Sequence, residues 1–225
     1  MINIFIAGDS TVSTYDYSVA PRTGWGQVLG NYMNEKVLVQ NRAVSGRSSK
    51  SFIDEGRLNQ ILNKIQANDY LFIQFGHNDE KSDKERHTEP FTSFHNYLTE
   101  YIEQARNKQA FPILLTPVQR RSFDDNGVFI ETHGDYPIAM KQLAQQYDVP
   151  LIDLTTSSRI LYEKLGPEAS KEIFLWFKQE ENINFPDGLQ DDTHFSEYGA
   201  NEIAQLVIEG IHEIKSPLIT YLKDI

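Results

Sequence analysis

Asn3-Ile4-Phe5-Ile6-Ala7 passes without a break into Gly8-Asp9-Ser10-Thr11. A short, nearly continuous run of Ile, Phe and Ala that stops at a glycine reads as a strand buried on both faces. Four more runs read the same way: Lys36–Gln40, Tyr70–Phe75, Pro112–Thr116 and Pro150–Leu154. Between them the apolar residues step by three and four, which is the helical period. Leu58, Ile61, Leu62 and Ile65 form one such set, and Phe94, Tyr97, Leu98, Tyr101, Ile102 and Ala105 a second. Met140, Leu143, Ala144 and Tyr147 form a third, and Ala200, Ile203, Ala204, Val207 and Ile211 a fourth. Strand alternating with helix implies parallel strands joined by crossovers. The predicted fold is α/β, a three-layer α/β/α sandwich on a five-stranded parallel sheet, with residues 1–225 forming one domain.

Bulk composition narrows the function. The 225 residues are 40% apolar and 24% charged, which are globular values. A formal net charge of −11 argues against a nucleic-acid partner and against an anionic membrane surface. There are no cysteines, so disulfides, thiolate metal sites and cysteine nucleophiles are excluded. The opening residues carry no basic region, long apolar stretch or cleavage signal, and no segment is long enough to span a bilayer. The expectation is a cytoplasmic protein, monomeric or a weak homo-oligomer.

In open parallel sheets, ligands bind beyond the carboxyl ends of the strands. That directs attention to Gly8–Thr11, Asn41–Ser48, Gly76–Asp79 and the long connection from Pro117 to Asp135. Ser10 follows the first strand, where its hydroxyl can project freely, and Gly8 allows a tight turn. Asp191-Asp192-Thr193-His194 precedes the last helix, with Ser196 as its cap. On a turn, a carboxylate three residues before an imidazole can hold one ring N–H and leave the other nitrogen as a base. Asp192 sits at the wrong spacing and should point elsewhere. Asn78 and the backbone of Gly46 could donate to a developing oxyanion. Taken alone, each segment is better read as an ordinary turn. Together they supply a nucleophile, an oriented base and oxyanion donors at one end of one sheet, the parts that acyl transfer requires.

The order Gly8-Asp9-Ser10, Gly46, Gly76-x-Asn78-Asp79 and Asp191-x-x-His194 resembles the four blocks of the SGNH (GDSL-type) hydrolases. Within that group the chain looks most like the rhamnogalacturonan acetylesterases. The likeness is carried by Ala7-Gly8-Asp9-Ser10-Thr11-Val12, Gly24-Trp25-Gly26, Asn41 through Ser48, Phe75 through Asp79 and Gly134-Asp135-Tyr136-Pro137. The resemblance implies a flavodoxin-like sandwich and a serine esterase acting on an acetylated, pectin-derived oligosaccharide. It implies Ser10 as nucleophile, His194 as base and Asp191 as its orienting acid. The oxyanion donors would be the Ser10 and Gly46 N–H groups and the Asn78 amide, with no metal or cofactor. Activity should rise with pH as the His194 ring loses its proton.

Other residues receive secondary readings. His133, Arg120 and Arg47 are candidate substrate contacts; arginine, Arg121 included, suits the carboxylates of a galacturonate chain. His77 is expected to support the site rather than react in it. His87 and His95 read as surface residues, and His212 as half of a solvated helix pair with Glu209. Trp25 and Trp176 are expected in the core. Rival readings are another SGNH esterase (an acetylxylan esterase, lipase or thioesterase) and a non-catalytic binding module. Flavin or nucleotide binding is disfavoured, because Gly8-Asp9-Ser10-Thr11 lacks the further glycines of a phosphate cradle.

Overall fold

A computed structural model describes residues 1–223. Its central sheet contains β1 (Ile2–Gly8), β2 (Val37–Asn41), β3 (Tyr70–Gln74), β4 (Phe111–Leu115) and β5 (Leu151–Ile152). The strands are parallel in the order β2-β1-β3-β4-β5. The alternation within β1 accounts for the layers. Ile4 and Ile6 face one side and Phe5 and Ala7 the other, and all four are buried. A strand that is apolar on both faces needs helices on both faces.

The Phe5 face is covered by α2 (Ser49–Asp54), α3 (Arg57–Leu62), α4 (His95–Asn107) and α5 (Tyr136–Tyr147), through Phe52, Leu58, Leu98, Ile102, Met140 and Leu143. The Ile4 face is covered by α1 (Trp25–Val28), α6 (Leu154–Ala169) and α7 (Glu197–Glu213), through Trp25, Leu154, Tyr162, Ile203 and Val207. Among the described residues, no helix is long and apolar enough to cross a membrane.

Three local features depart from the sequence reading. β2 is an edge strand and only partly covered, with Leu38 45% exposed, so it is not buried on both faces. The fifth strand has shrunk to two residues: Asp153 accepts from the Thr156 N–H and starts α6 there, a helix the sequence reading lacks. The third lies outside the sheet, where β6 (Phe174–Phe177) and β7 (Leu189–Phe195) form an antiparallel ribbon. Asp191–His194 therefore belongs to a strand rather than to a plain turn. Phe174 pairs with Phe195 and Leu175 with Asp191, so residues 192–194 bulge out between two adjacent pairs. Ser196 then caps α7, its side chain accepting from the Gly199 N–H.

Strand order positions the site. The chain leaves β1 for β2 at the sheet edge and returns to β3 on the opposite side of β1. Connections diverge there, and a crevice opens above the carboxyl ends of β1 and β3. Gly8 and Gln74, opposite one another in register, form its floor.

Candidate active site

The loop after β1 is fixed from below. Asp9 Oδ1 accepts from the Thr11 N–H at 2.9 Å and the Thr11 hydroxyl at 2.8 Å. The Asp9 carbonyl accepts from the N–H groups of Val12 and Ser13. Gln74 Nε2 donates to Thr11 Oγ1 at 2.8 Å, and Gln74 Oε1 accepts from the fully buried Trp25 indole at 2.8 Å. Gly8 serves close packing rather than a special turn geometry: a Cβ there would lie 2.8 Å from Val12 Cγ2 and 3.1 Å from the Gln74 carbonyl. Beside this scaffold, Ser10 Oγ makes no hydrogen bond among the described residues, while the Ser10 carbonyl accepts from the Tyr15 hydroxyl at 2.7 Å.

The bulge in β7 brings a carboxylate and an imidazole together. Asp191 Oδ1 accepts from the N–H groups of Thr193 at 2.8 Å and His194 at 2.9 Å, and its Oδ2 lies 2.7 Å from His194 Nδ1. In a regular strand, residues three apart point to opposite faces. The bulge removes that restriction, and the two backbone bonds set the carboxylate under the ring. Burial raises the Asp191 carboxyl, but the His194 ring and the two backbone donors outweigh it and bring it down to about 2. Nδ1 must then carry the hydrogen of this contact, which leaves Nε2 as the acceptor. Asp192 points away: its Oδ1 accepts from Arg121 at 2.8 Å and from the Trp176 indole at 2.9 Å.

Oxyanion donors come from three segments. Gly46 has φ +81°, a conformation that favours glycine, and its N–H has no acceptor among the described residues. The Ser10 N–H is equally unclaimed. Asn78 Nδ2 gives one hydrogen to the Arg47 carbonyl at 3.0 Å and keeps the other. Asp79 ties these segments together, accepting from the Ser49 N–H, the Ser49 hydroxyl, the Gly76 N–H and the Thr88 hydroxyl. Complete burial pushes its carboxyl up to about 7 against those donors.

Ser10, Gly46, Asn78 and His194 all line one cavity of about 280 Å³, with Asp191 behind the imidazole. Arg120 lines it too, its guanidinium 2.6 Å from Glu80 and donating to the His77 carbonyl. Two of the substrate contacts expected from sequence lie elsewhere. His133 is buried beneath the cavity, with Nε2 2.8 Å from the Val118 carbonyl and Nδ1 3.3 Å from Glu80. Arg47 folds back onto Glu55 and the Ser45 carbonyl and is absent from the lining. Arg121 is spent on Asp192 and on Ser170.

The cavity instead holds two cations that sequence reasoning missed, Arg22 and Lys81. Arg22 stands two residues before Gly24-Trp25-Gly26 and Lys81 two after Asp79, but a lone cation beside a motif reads as ordinary surface charge. His77, also in the lining, sits 3.3 Å from Asp9 Oδ2 and edge-on to His133. Burial holds its ring down to about 4, so it is neutral at neutral pH. Burial alone would raise Asp9, yet the adjacent His77 and the Thr11 donors keep it below the usual carboxylate range. Of the remaining histidines, His87 is exposed and contacts Glu89. His95 is half-buried, its Nε2 against the Ala139 carbonyl.

The chain is similar to known proteins over nearly its whole length. The family described as GDSL-like Lipase/Acylhydrolase matches residues 4–207. Rhamnogalacturonan acetylesterase RhgT of Bacillus subtilis (strain 168) is 52% identical over 221 residues, which is 98% of this chain and 94% of the relative. The probable rhamnogalacturonan acetylesterase YesY of the same organism is 48% identical over 217 residues, 96% of this chain and 95% of that one. The crystal structure of protein YXIM from Bacillus subtilis superposes with a TM-score of 0.82 at 27% identity, covering 96% of this chain and 57% of that chain. With a free serine, an acid-held imidazole and unclaimed donors at the head of a β2-β1-β3-β4-β5 sheet, the chain belongs to the GDSL-like lipase/acylhydrolase family.

Proposed function

We propose that this chain is a serine esterase that removes O-acetyl groups from a pectin-derived, rhamnogalacturonan-type saccharide. The observation that carries the reading is the 2.7 Å contact of His194 with Asp191, in a ring that shares a small cavity with the unbonded Ser10 hydroxyl. In the reaction, His194 Nε2 takes the Ser10 proton as Ser10 Oγ attacks the ester carbonyl. The negative oxygen is met by the N–H groups of Ser10 and Gly46 and by the free Asn78 hydrogen. His194 returns the proton to the departing sugar hydroxyl, leaving acetyl-Ser10. Water, deprotonated by the same ring, then releases acetate and restores Ser10.

The substrate class rests on the names of the two Bacillus relatives and on the cavity itself. Among the described residues its lining holds no Leu, Ile, Val, Met or Phe side chain. A long acyl chain would find no large apolar side chain to bury against, whereas an acetyl group needs little. The test is a panel of acetylated pectin fragments, acetylated xylan and aryl esters of acetate and octanoate. Acetate release fastest from the pectin fragments is expected; a preference for octanoate would overturn the reading. Asn78→Ala is expected to lower kcat on an aryl acetate by about a hundredfold with KM little changed, as loss of one oxyanion donor does. Steady-state kinetics of the purified variant checks this.

A further inference from the structure

We propose that Arg22 and Lys81 form a carboxylate-binding subsite that makes the enzyme selective for an acidic sugar. This inference rests on the esterase reading above and adds the residues that would read the charge of the saccharide. The chain as a whole carries −11, yet the cavity lining contains Arg22, Lys81 and Arg120 and no Asp or Glu. A lining that presents cations to the cavity, with the nearby carboxylates set behind Arg120, His77 and His194, suits an anionic ligand.

The three cations differ in what they already hold. Arg120 is paired with Glu80 at 2.6 Å and donates to the carbonyls of His77 and Thr132, so its charge is largely answered within the protein. Neither Arg22 nor Lys81 has a carboxylate within salt-bridge distance among the described residues. The Arg22 Nε is buried and lacks a hydrogen-bond partner. That nitrogen is covered, so a ligand in the cavity would be met by the terminal guanidinium nitrogens, which no carboxylate of the described residues engages.

Arg22 is also held in place rather than trailing in solvent. Its guanidinium lies over the Tyr15 ring, 4.5 Å from the centroid, and the Tyr15 hydroxyl donates to the Ser10 carbonyl at 2.7 Å. On its other side, the Thr23 N–H donates to the Phe195 carbonyl at 3.0 Å. The residue is thus tethered to the loop of Ser10 and to the strand of His194 at once. A planar guanidinium fixed in this way matches a carboxylate through two parallel N–H bonds. Lys81 follows the Asn78 segment and brings a more flexible charge from another part of the cavity wall. In a hexuronate, the carboxylate and an esterified ring hydroxyl belong to the same sugar, so a cavity of about 280 Å³ can engage both together.

The experiment compares acetate release from an acetylated galacturonate oligosaccharide and from the same oligosaccharide after reduction of its carboxylates. Wild type, Arg22→Gln, Arg22→Lys and Lys81→Gln are assayed at low and high ionic strength. Wild type is expected to favour the acidic substrate by about tenfold or more in kcat/KM, through KM, and less so as salt rises. Arg22→Gln should bring that ratio towards one, Arg22→Lys should keep part of it, and Lys81→Gln should lower it. The inference is overturned if wild type treats both substrates alike. It is also overturned if Arg22→Gln slows both by the same factor, since that would assign Arg22 to the oxyanion or to the fold. Hydrolysis of 4-nitrophenyl acetate by wild type separates the two levels: no hydrolysis defeats the esterase reading, whereas hydrolysis with a flat ratio defeats only the subsite.

Discussion

Ser10→Ala is expected to lower kcat on an aryl acetate by a factor on the order of a million, close to the loss seen when a triad serine is removed elsewhere. The reason is geometric. The other hydroxyls around the loop are committed to structure: Thr11 Oγ1 to Asp9 and Gln74, Ser13 Oγ to the Asp9 carbonyl, Tyr15 to the Ser10 carbonyl. None of them is free to replace a lost nucleophile. What remains would be the background that oxyanion donors and binding give to attack by water. The fold should not notice the change. Ser10 Oγ supports no hydrogen bond among the described residues, and the loop is held by Asp9 and Gln74, which the substitution leaves in place. Melting of the variant within a degree or two of wild type, together with loss of the acetyl adduct by mass spectrometry, is the expected pair of results. A variant that melts normally and turns over at the wild-type rate would remove Ser10 from the mechanism.

How much of this was legible depended on whether the information was local. The inner strands were readable because a strand covered on both faces has little choice but Ile, Leu, Val and Phe, as in Tyr70–Gln74. β2 carries a similar run of letters at the sheet edge, where Leu38 is left partly uncovered, so composition alone overstated its burial. The β6–β7 ribbon was missed although Phe174-Leu175-Trp176-Phe177 is an apolar run. Its partner strand carries Asp191, Asp192, Thr193 and His194, and such a polar segment reads as a turn. Ser10, Gly46, Asn78, Asp191 and His194 each stand in a short motif beside a recognisable element. The cavity walls were less readable: of the expected substrate contacts Arg120 alone lines the cavity. His133 went beneath the site and Arg47 to Glu55, while Arg22, just ahead of Gly24-Trp25-Gly26, turned into it. Those placements follow from long-range packing, which local letters do not encode.

Asp191→Asn is expected to cost about ten-thousandfold in kcat, and its effect on stability should separate two roles of the same carboxylate. The asparagine carbonyl can keep both backbone bonds, from the Thr193 and His194 N–H groups, so the β7 bulge should persist. Its amide, however, would present hydrogens to His194 Nδ1, where the carboxylate Oδ2 now accepts at 2.7 Å. Nδ1 then becomes an acceptor and the ring proton moves to Nε2, the atom that should take the proton from Ser10. The base is present but in the wrong tautomer. The stability effect has a definite sign. The Asp191 carboxyl lies at about 2 in the folded chain, below its ordinary 3.8, so the charged form favours folding. That contribution is present above pH ~4 and is lost as pH falls towards 2. Wild type should therefore melt higher than Asp191→Asn at neutral pH, and the two curves should converge in acid. Convergence with the kinetic defect intact would mean that the carboxylate acts through the tautomer of His194. An equal gap at pH 3 and pH 7 would mean that the loss came from a disturbed bulge instead.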